Sequence, residues 1–221
     1  VNKQGNTSSA VMQQRNKPRN DGLDDFPTPP WATRALIEHV LAPPVTGLDY
    51  FKDLTVWEPA CNRGFMARPL AEYFGRVIAT DIKNYGNPGQ VCMDFLMHGL
   101  AESVDWQITN PPFRLAAQFA ERCLTIAPKH GFALLVRTSF LEGVGRYQNL
   151  FRKYPPTIIA QFAERVPMVE GRCDPEASTA TSYCWLVWDR GVSGDPEFVW
   201  IPPCRRALER PSDYTWENDN G

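Results

Sequence analysis

The sequence predicts an α/β fold, a mostly parallel sheet with helices on both faces and antiparallel pairing at one edge. Three observations carry this. Short apolar runs alternate with stretches of helical periodicity through the middle of the chain, the pattern of a doubly wound sheet. Several runs are nearly continuous in Val, Ile, Leu and Ala, which fits strands buried on both faces. The final strands follow one another without an intervening helix, so antiparallel partners are expected there.

In chain order, a helix is expected over 30–41 and a first strand over 53–58, closing on Glu58. Gly64 opens a second helix, 64–74, and a second strand, 76–81, ends in Ala79-Thr80-Asp81. A short strand, 90–93, precedes Asp94-Phe95. The next, 105–109, is Trp106-Gln107-Ile108-Thr109 with one flanking residue, and it stops at two prolines. The helix over 114–127 repeats Leu115, Phe119 and Cys123 beside Ala116, Ala120 and Leu124, giving one apolar face. A strand over 131–137 and a helix over 140–154 follow. Strands over 156–162, 182–188 and 197–201 complete the pattern, with Tyr183, Trp185 and Trp188 read as core.

At 221 residues the chain suits one well-buried domain, placed at 23–203. Residues 1–22 are polar and basic without apolar periodicity and are expected to be a disordered arm; 204–221 are charged and are expected to be an irregular tail. No apolar run approaches a membrane span and the start lacks a signal-peptide core, so a cytoplasmic protein with no membrane partner is expected. The six cysteines form no C-x-x-C pair and the three histidines no ligand spacing, which excludes a recognisable zinc site and predicts no metal. Cys123 and Cys184 read as buried packing. A net charge of −2 gives no global field toward nucleic acid. Local basic stretches exist, with Lys3, Arg15, Lys17 and Arg19 in the arm and Arg137, Arg146, Arg152, Lys153, Arg165 and Arg172 later, and phosphate contact needs only a local one.

The chemistry concentrates at strand ends, where ligands of open α/β sheets bind. Asn110-Pro111-Pro112-Phe113 freezes a stiff corner, because two prolines neither continue a helix nor donate to a sheet. Asn110 brings an acceptor and two donors, Pro111 a carbonyl without a competing N–H, and Phe113 a stacking face, a set suited to a flat, polar-edged ring. Upstream, Glu58-Pro59-Ala60-Cys61-Asn62-Arg63-Gly64 places an acid at the mouth of a small-residue loop. It is neither a G-x-G-x-x-G turn nor a P-loop, and its acid would repel a pyrophosphate. Asp81 at the second strand's end can accept two ribose hydroxyls, and Asp94-Phe95 offers an acceptor with a ring.

With these residues in this order, the chain from about Asp25 to Pro203 resembles the S-adenosylmethionine-dependent adenine-N6 DNA methyltransferases, in particular small phage and prophage ones of the restriction–modification kind. The resemblance implies a Rossmann-like class I methyltransferase fold with a seven-stranded sheet, and S-adenosylmethionine as cofactor. Phe26, Pro27 and Thr28 would lie over its methionine end, Glu58, Ala60, Asn62 and Gly64 would form its first loop, Asp81 would take the ribose, and Asp94 and Phe95 the adenosine. Asn110, Pro111, Pro112 and Phe113 would be catalytic, holding the amine of an extruded adenine for direct transfer. Phe113, Arg114, Arg137, Arg146 and Arg172 would meet the substrate DNA. Asn62 stands where the family's loop usually has a second glycine. No large target-recognition insertion is visible, so a short or relaxed target is expected, in a bacterial host or phage-infected cell. The alternatives are a methyltransferase acting on RNA or on a protein glutamine, and a decayed relative that binds DNA without turnover.

Overall fold

The computed structural model describes residues 24–42 and 47–215. The arm at 1–22, with Lys3, Arg15, Lys17 and Arg19, lies outside them. Eight strands form one sheet: β1 (Thr55–Glu58), β2 (Arg76–Asp81), β3 (Val91–Cys92), β4 (Trp106–Thr109), β5 (Gly131–Arg137), β6 (Ile158–Phe162), β7 (Tyr183–Asp189) and β8 (Glu197–Ile201). Their order is β3-β2-β1-β4-β5-β7-β6-β8. All eight fall on expected runs, one strand more than the seven that the resemblance implies, and β8 pairs parallel with β6. Antiparallel pairing is confined to β7, which runs against both β5 and β6.

Alternation along the strands divides the core in two, because successive side chains leave opposite faces. Val56, Trp106, Leu135 and Trp185 pack on one face with Trp31 and Leu36. Their neighbours Trp57, Leu134 and Leu186 pack on the other with Phe95, Phe119 and Cys123. Helix α1 (Pro30–Leu36) is buried along its whole length and continues as a π-turn to Leu41; its Ala32 carbonyl accepts the Trp185 indole N–H at 3.1 Å. Cys123 and Cys184 are fully buried, and Tyr183, Trp185 and Trp188 belong to the core.

Two expected helices are cut short. In place of 64–74 there is only α2 (Ala67–Leu70), since Asn62 and Gly64 have φ of +49° and +83°, conformations in which a right-handed helix cannot start. Helix α3 (Ala116–Ile126) forms as expected. The expected 140–154 helix is broken by Gly143, φ +117°, into a 3-10 turn (Thr138–Leu141), α4 (Val144–Arg146) and a π-turn (Tyr147–Phe151).

The region after 203 departs from an irregular tail over its described part. Helix α5 (Arg205–Leu208) and a 3-10 turn (Pro211–Tyr214) bring Asp213 to Arg34 of α1, both buried, through two hydrogen bonds of 2.7 Å. Glu72 takes the guanidinium's remaining edge at 2.7 and 2.9 Å. Among the described residues no helix is long and apolar enough to cross a membrane, and no group of His, Cys, Asp and Glu could hold a metal ion.

Candidate active site

The carboxyl ends of β1, β2 and β4 open into one cleft of about 280 Å³. It is lined by Phe26, Pro27 and Thr28 before α1, by Glu58, Ala60 and Asn62 after β1, by Asp81, by Asp94 and Phe95, and by Asn110 to Arg114. The structure thus gathers residues separated by most of the chain. Gly64 lines no part of the cleft. Its place is in the loop's backbone, where a Cβ would come within 3.0 Å of Asn87 Oδ1. Arg172 also lies apart; it sits in an exposed turn and pairs with Asp174 at 3.0 Å.

Asn110 is held by one end. Its Nδ2 donates to the Phe26 carbonyl at 3.0 Å and to Thr28 Oγ1 at 3.1 Å, and it lies 3.7 Å from Met168 Sδ. A carbonyl only accepts, so this contact fixes which end of the amide is nitrogen. Oδ1 is buried and has no partner among the described residues. The residue at the centre of the corner therefore carries an orphaned acceptor, a condition native proteins rarely tolerate without a function for it.

Glu58 repeats the pattern. It is 2% exposed, its Oε2 has no partner among the described residues, and the Ala67 N–H is its backbone donor. Burial, with the charge of Asp81 adding to it, pushes its carboxyl well above the usual range despite that bond. Asp81 accepts the Asn62 N–H at 2.9 Å and the Lys83 N–H at 3.0 Å; burial still raises its pKa. Burial, then Glu58 and Asp81, drive the Cys61 thiol far up, which keeps it protonated and unsuited to nucleophilic attack.

Asn62 resolves the loop's missing glycine. Asn tolerates the left-handed region better than any other residue bearing a side chain, so the loop keeps the conformation a glycine would give. Its side chain adds a tie: Nδ2 donates to Asp25 Oδ1 at 2.8 Å, beside Arg63, which pairs with the same carboxylate at 2.7 Å. Asp24 accepts the Phe113 N–H at 2.9 Å. The segment ahead of α1 is thus fastened both to the first loop and to the corner at Asn110–Phe113. Asp24 and Tyr85 also line the cleft and went unread in the sequence, where the only signal was the acidic pair beside Phe26.

Arg137, the last residue of β5, lies with its guanidinium carbon 3.9 Å from the Phe113 ring centroid. Arg146 turns inward instead. Its Nε donates to the Phe140 carbonyl at 2.8 Å and its Nη2 to the Glu142 carbonyl, so it braces the Ser139–Glu142 turn.

Comparison with solved structures bears on the fold. The chain is similar to a candidate type I restriction enzyme modification subunit from Vibrio vulnificus, with TM-score 0.56 and 16% identity over 96% of this chain and 55% of that one. It is also similar to a dimethyladenosine transferase from Plasmodium falciparum, with TM-score 0.50 and 14% identity over 76% of this chain and 64% of that one. The fold is the Rossmann-like methyltransferase fold. The chain spans just over half of the first neighbour and under two thirds of the second. No family model and no curated protein matches the sequence.

Proposed function

We propose that this chain is an S-adenosylmethionine-dependent methyltransferase that modifies the exocyclic N6 amine of an extruded adenine in DNA. The observation that carries this is the Asn110 amide, anchored through Nδ2 with Oδ1 left unpaired in a cleft between an acidic loop and an aromatic ring.

The lining suits the cofactor. Asp24, Glu58, Asp81 and Asp94 face Arg114 as the one cation among the described lining residues. A pyrophosphate would be repelled there, whereas S-adenosylmethionine carries a sulfonium and an ammonium against a single carboxylate. Asp81 keeps lone-pair capacity for ribose hydroxyls beside the backbone N–H groups it accepts, Asp94 and Phe95 would hold the adenosine, and Glu58 offers an unpaired oxygen to the cationic end. When bound, the cofactor supplies an electrophilic methyl group.

The chain's residues prepare the acceptor. Adenine's amine is a poor nucleophile because its lone pair is shared with the ring. Asn110 Oδ1 and the Pro111 carbonyl would take its two hydrogens, favour a pyramidal nitrogen and turn the lone pair toward the cofactor side. Positioning and charge complementarity would then supply most of the acceleration, with no covalent enzyme intermediate. The protonated Cys61 is consistent with that.

The likeness to a dimethyladenosine transferase keeps adenine in RNA as the second reading. The deciding experiment offers labelled S-adenosylmethionine with unmethylated DNA, or with RNA, to the protein and its Asn110→Ala variant, followed by nucleoside mass spectrometry. Methylated N6-deoxyadenosine that disappears in the variant supports the proposal. Label appearing only in RNA moves the acceptor, and no transfer to either polymer overturns the reading.

A further inference from the structure

Phe113 is crowded, with Phe26, Tyr183 and Arg137 set against its ring. Phe26 lies on it with centroids 5.2 Å apart at 43°, and Arg137 lies over it at 3.9 Å. A base stacking on the face that Arg137 covers must displace it. Phe26 belongs to the segment bolted down by Asp24, Asp25 and Asn110. Arg137 is held by little else. Its Nε is buried without a partner, and its guanidinium makes no hydrogen bond or ion pair among the described residues. Arg146, across the same hollow, uses its guanidinium on two carbonyls, which marks Arg137 as the cation left available. The hollow measures about 170 Å³ and lies between Phe113, Val136, Ser139 and Phe140, opening beside the catalytic corner.

We infer that Arg137 holds the seat of the acceptor base. Its planar guanidinium covers the face of Phe113 that an incoming adenine takes. On entry it gives up that ring and pairs with a phosphate of the same polynucleotide in the hollow. The inference rests on the nucleic-acid reading above and adds to it a specific exchange, one planar group for another. A guanidinium suits both states, since it stacks on aromatic faces and forks onto phosphate oxygens.

The exchange predicts effects of opposite sign on two ligands. Deoxyadenosine, which has no phosphate, only competes with Arg137 for Phe113. A single-stranded oligodeoxynucleotide competes and is repaid by the phosphate contact. In the full chain saturated with S-adenosylhomocysteine, Arg137→Met and Arg137→Gln should bind deoxyadenosine about two- to fivefold tighter. They should bind a fluorescent oligonucleotide about tenfold or more weaker. The slope of log affinity against log salt should fall by about 0.7, one phosphate's worth for a single strand. Arg137→Lys should restore the slope. S-adenosylhomocysteine affinity, measured by calorimetry, should be unchanged in all three, which shows that the fold is intact.

Deoxyadenosine binding that is unchanged or weaker in both charge-removing variants overturns the seat. An unchanged salt slope overturns the phosphate contact. A wild-type protein that binds S-adenosylhomocysteine but no oligonucleotide overturns the nucleic-acid reading, and this inference with it; the first two results leave that reading standing.

Discussion

Asn62 Nδ2 donates to Asp25 Oδ1 at 2.8 Å from a backbone held at φ +49°. One residue therefore supplies both a left-handed turn and a clamp on the segment that carries Phe26. Asn62→Gly keeps the turn and loses the clamp; Asn62→Ala loses both. We expect the alanine variant to be less stable than the glycine variant by about 1–2 kcal/mol, the cost of the left-handed conformation. Urea midpoints at equal m-values measure it, and equal midpoints would refute the division of roles.

Glu58 makes stability fall with pH. Its folded pKa is raised, so above about pH 4.5 the unfolded state releases a proton that the folded state keeps, and folding is penalised increasingly until the folded pKa is reached. Glu58→Gln should stabilise the free protein at neutral pH and change little at pH 4. A cationic ligand reverses the preference, so cofactor binding should release a proton from the wild type and not from the variant. Calorimetry in buffers of different ionisation enthalpy reads this directly.

Asp81→Ala removes a carboxylate already oriented by two backbone N–H groups. A charge-assisted hydrogen bond is worth about 1.5–3 kcal/mol, so S-adenosylhomocysteine affinity should drop about tenfold or more. Asp81→Asn, which keeps an acceptor oxygen, should lie between the two. Wild-type affinity in the alanine variant would remove Asp81 from the site.

Asp213→Ala strips Arg34 of one of its two carboxylates inside the core. Breaking a buried pair costs about 3–5 kcal/mol, and the bidentate Glu72 places this case near the lower end. Arg34→Met combined with Asp213→Leu should recover most of the loss. Thermal melting of the wild type and the two variants gives the comparison.

The strands were legible because burial on both faces writes itself into continuous apolar runs, and the ends of β1, β2 and β4 then located Glu58, Asp81 and Asn110. The two shortened helices were not. Periodicity continues through Gly64 and Gly143, and it carries no record of the positive φ that their backbones adopt. The burial of Asp213 depends on a partner 179 residues away, and so could not be read from its charged surroundings. Phe113 could be recognised as a stacking face, but not as one already covered.

The single reversed strand has a consequence for which segments meet at the cleft. Because β7 runs backwards, the end of β6 and the start of β7 emerge on the rim where β5 ends, as the Arg137–Tyr183 register shows. The loop 163–182 between them is sewn shut at its base by Arg165 on Ala180 and Ser182, and it reaches in to set Met168 beside Asn110. The strands that carry Glu58 and Asp81 are on the other side of β4. That loop also donates its Gly171 N–H to the Asp25 carbonyl at 2.8 Å, and Asp25 holds Asn62 in turn, so a change of its length is felt on both sides of the cleft.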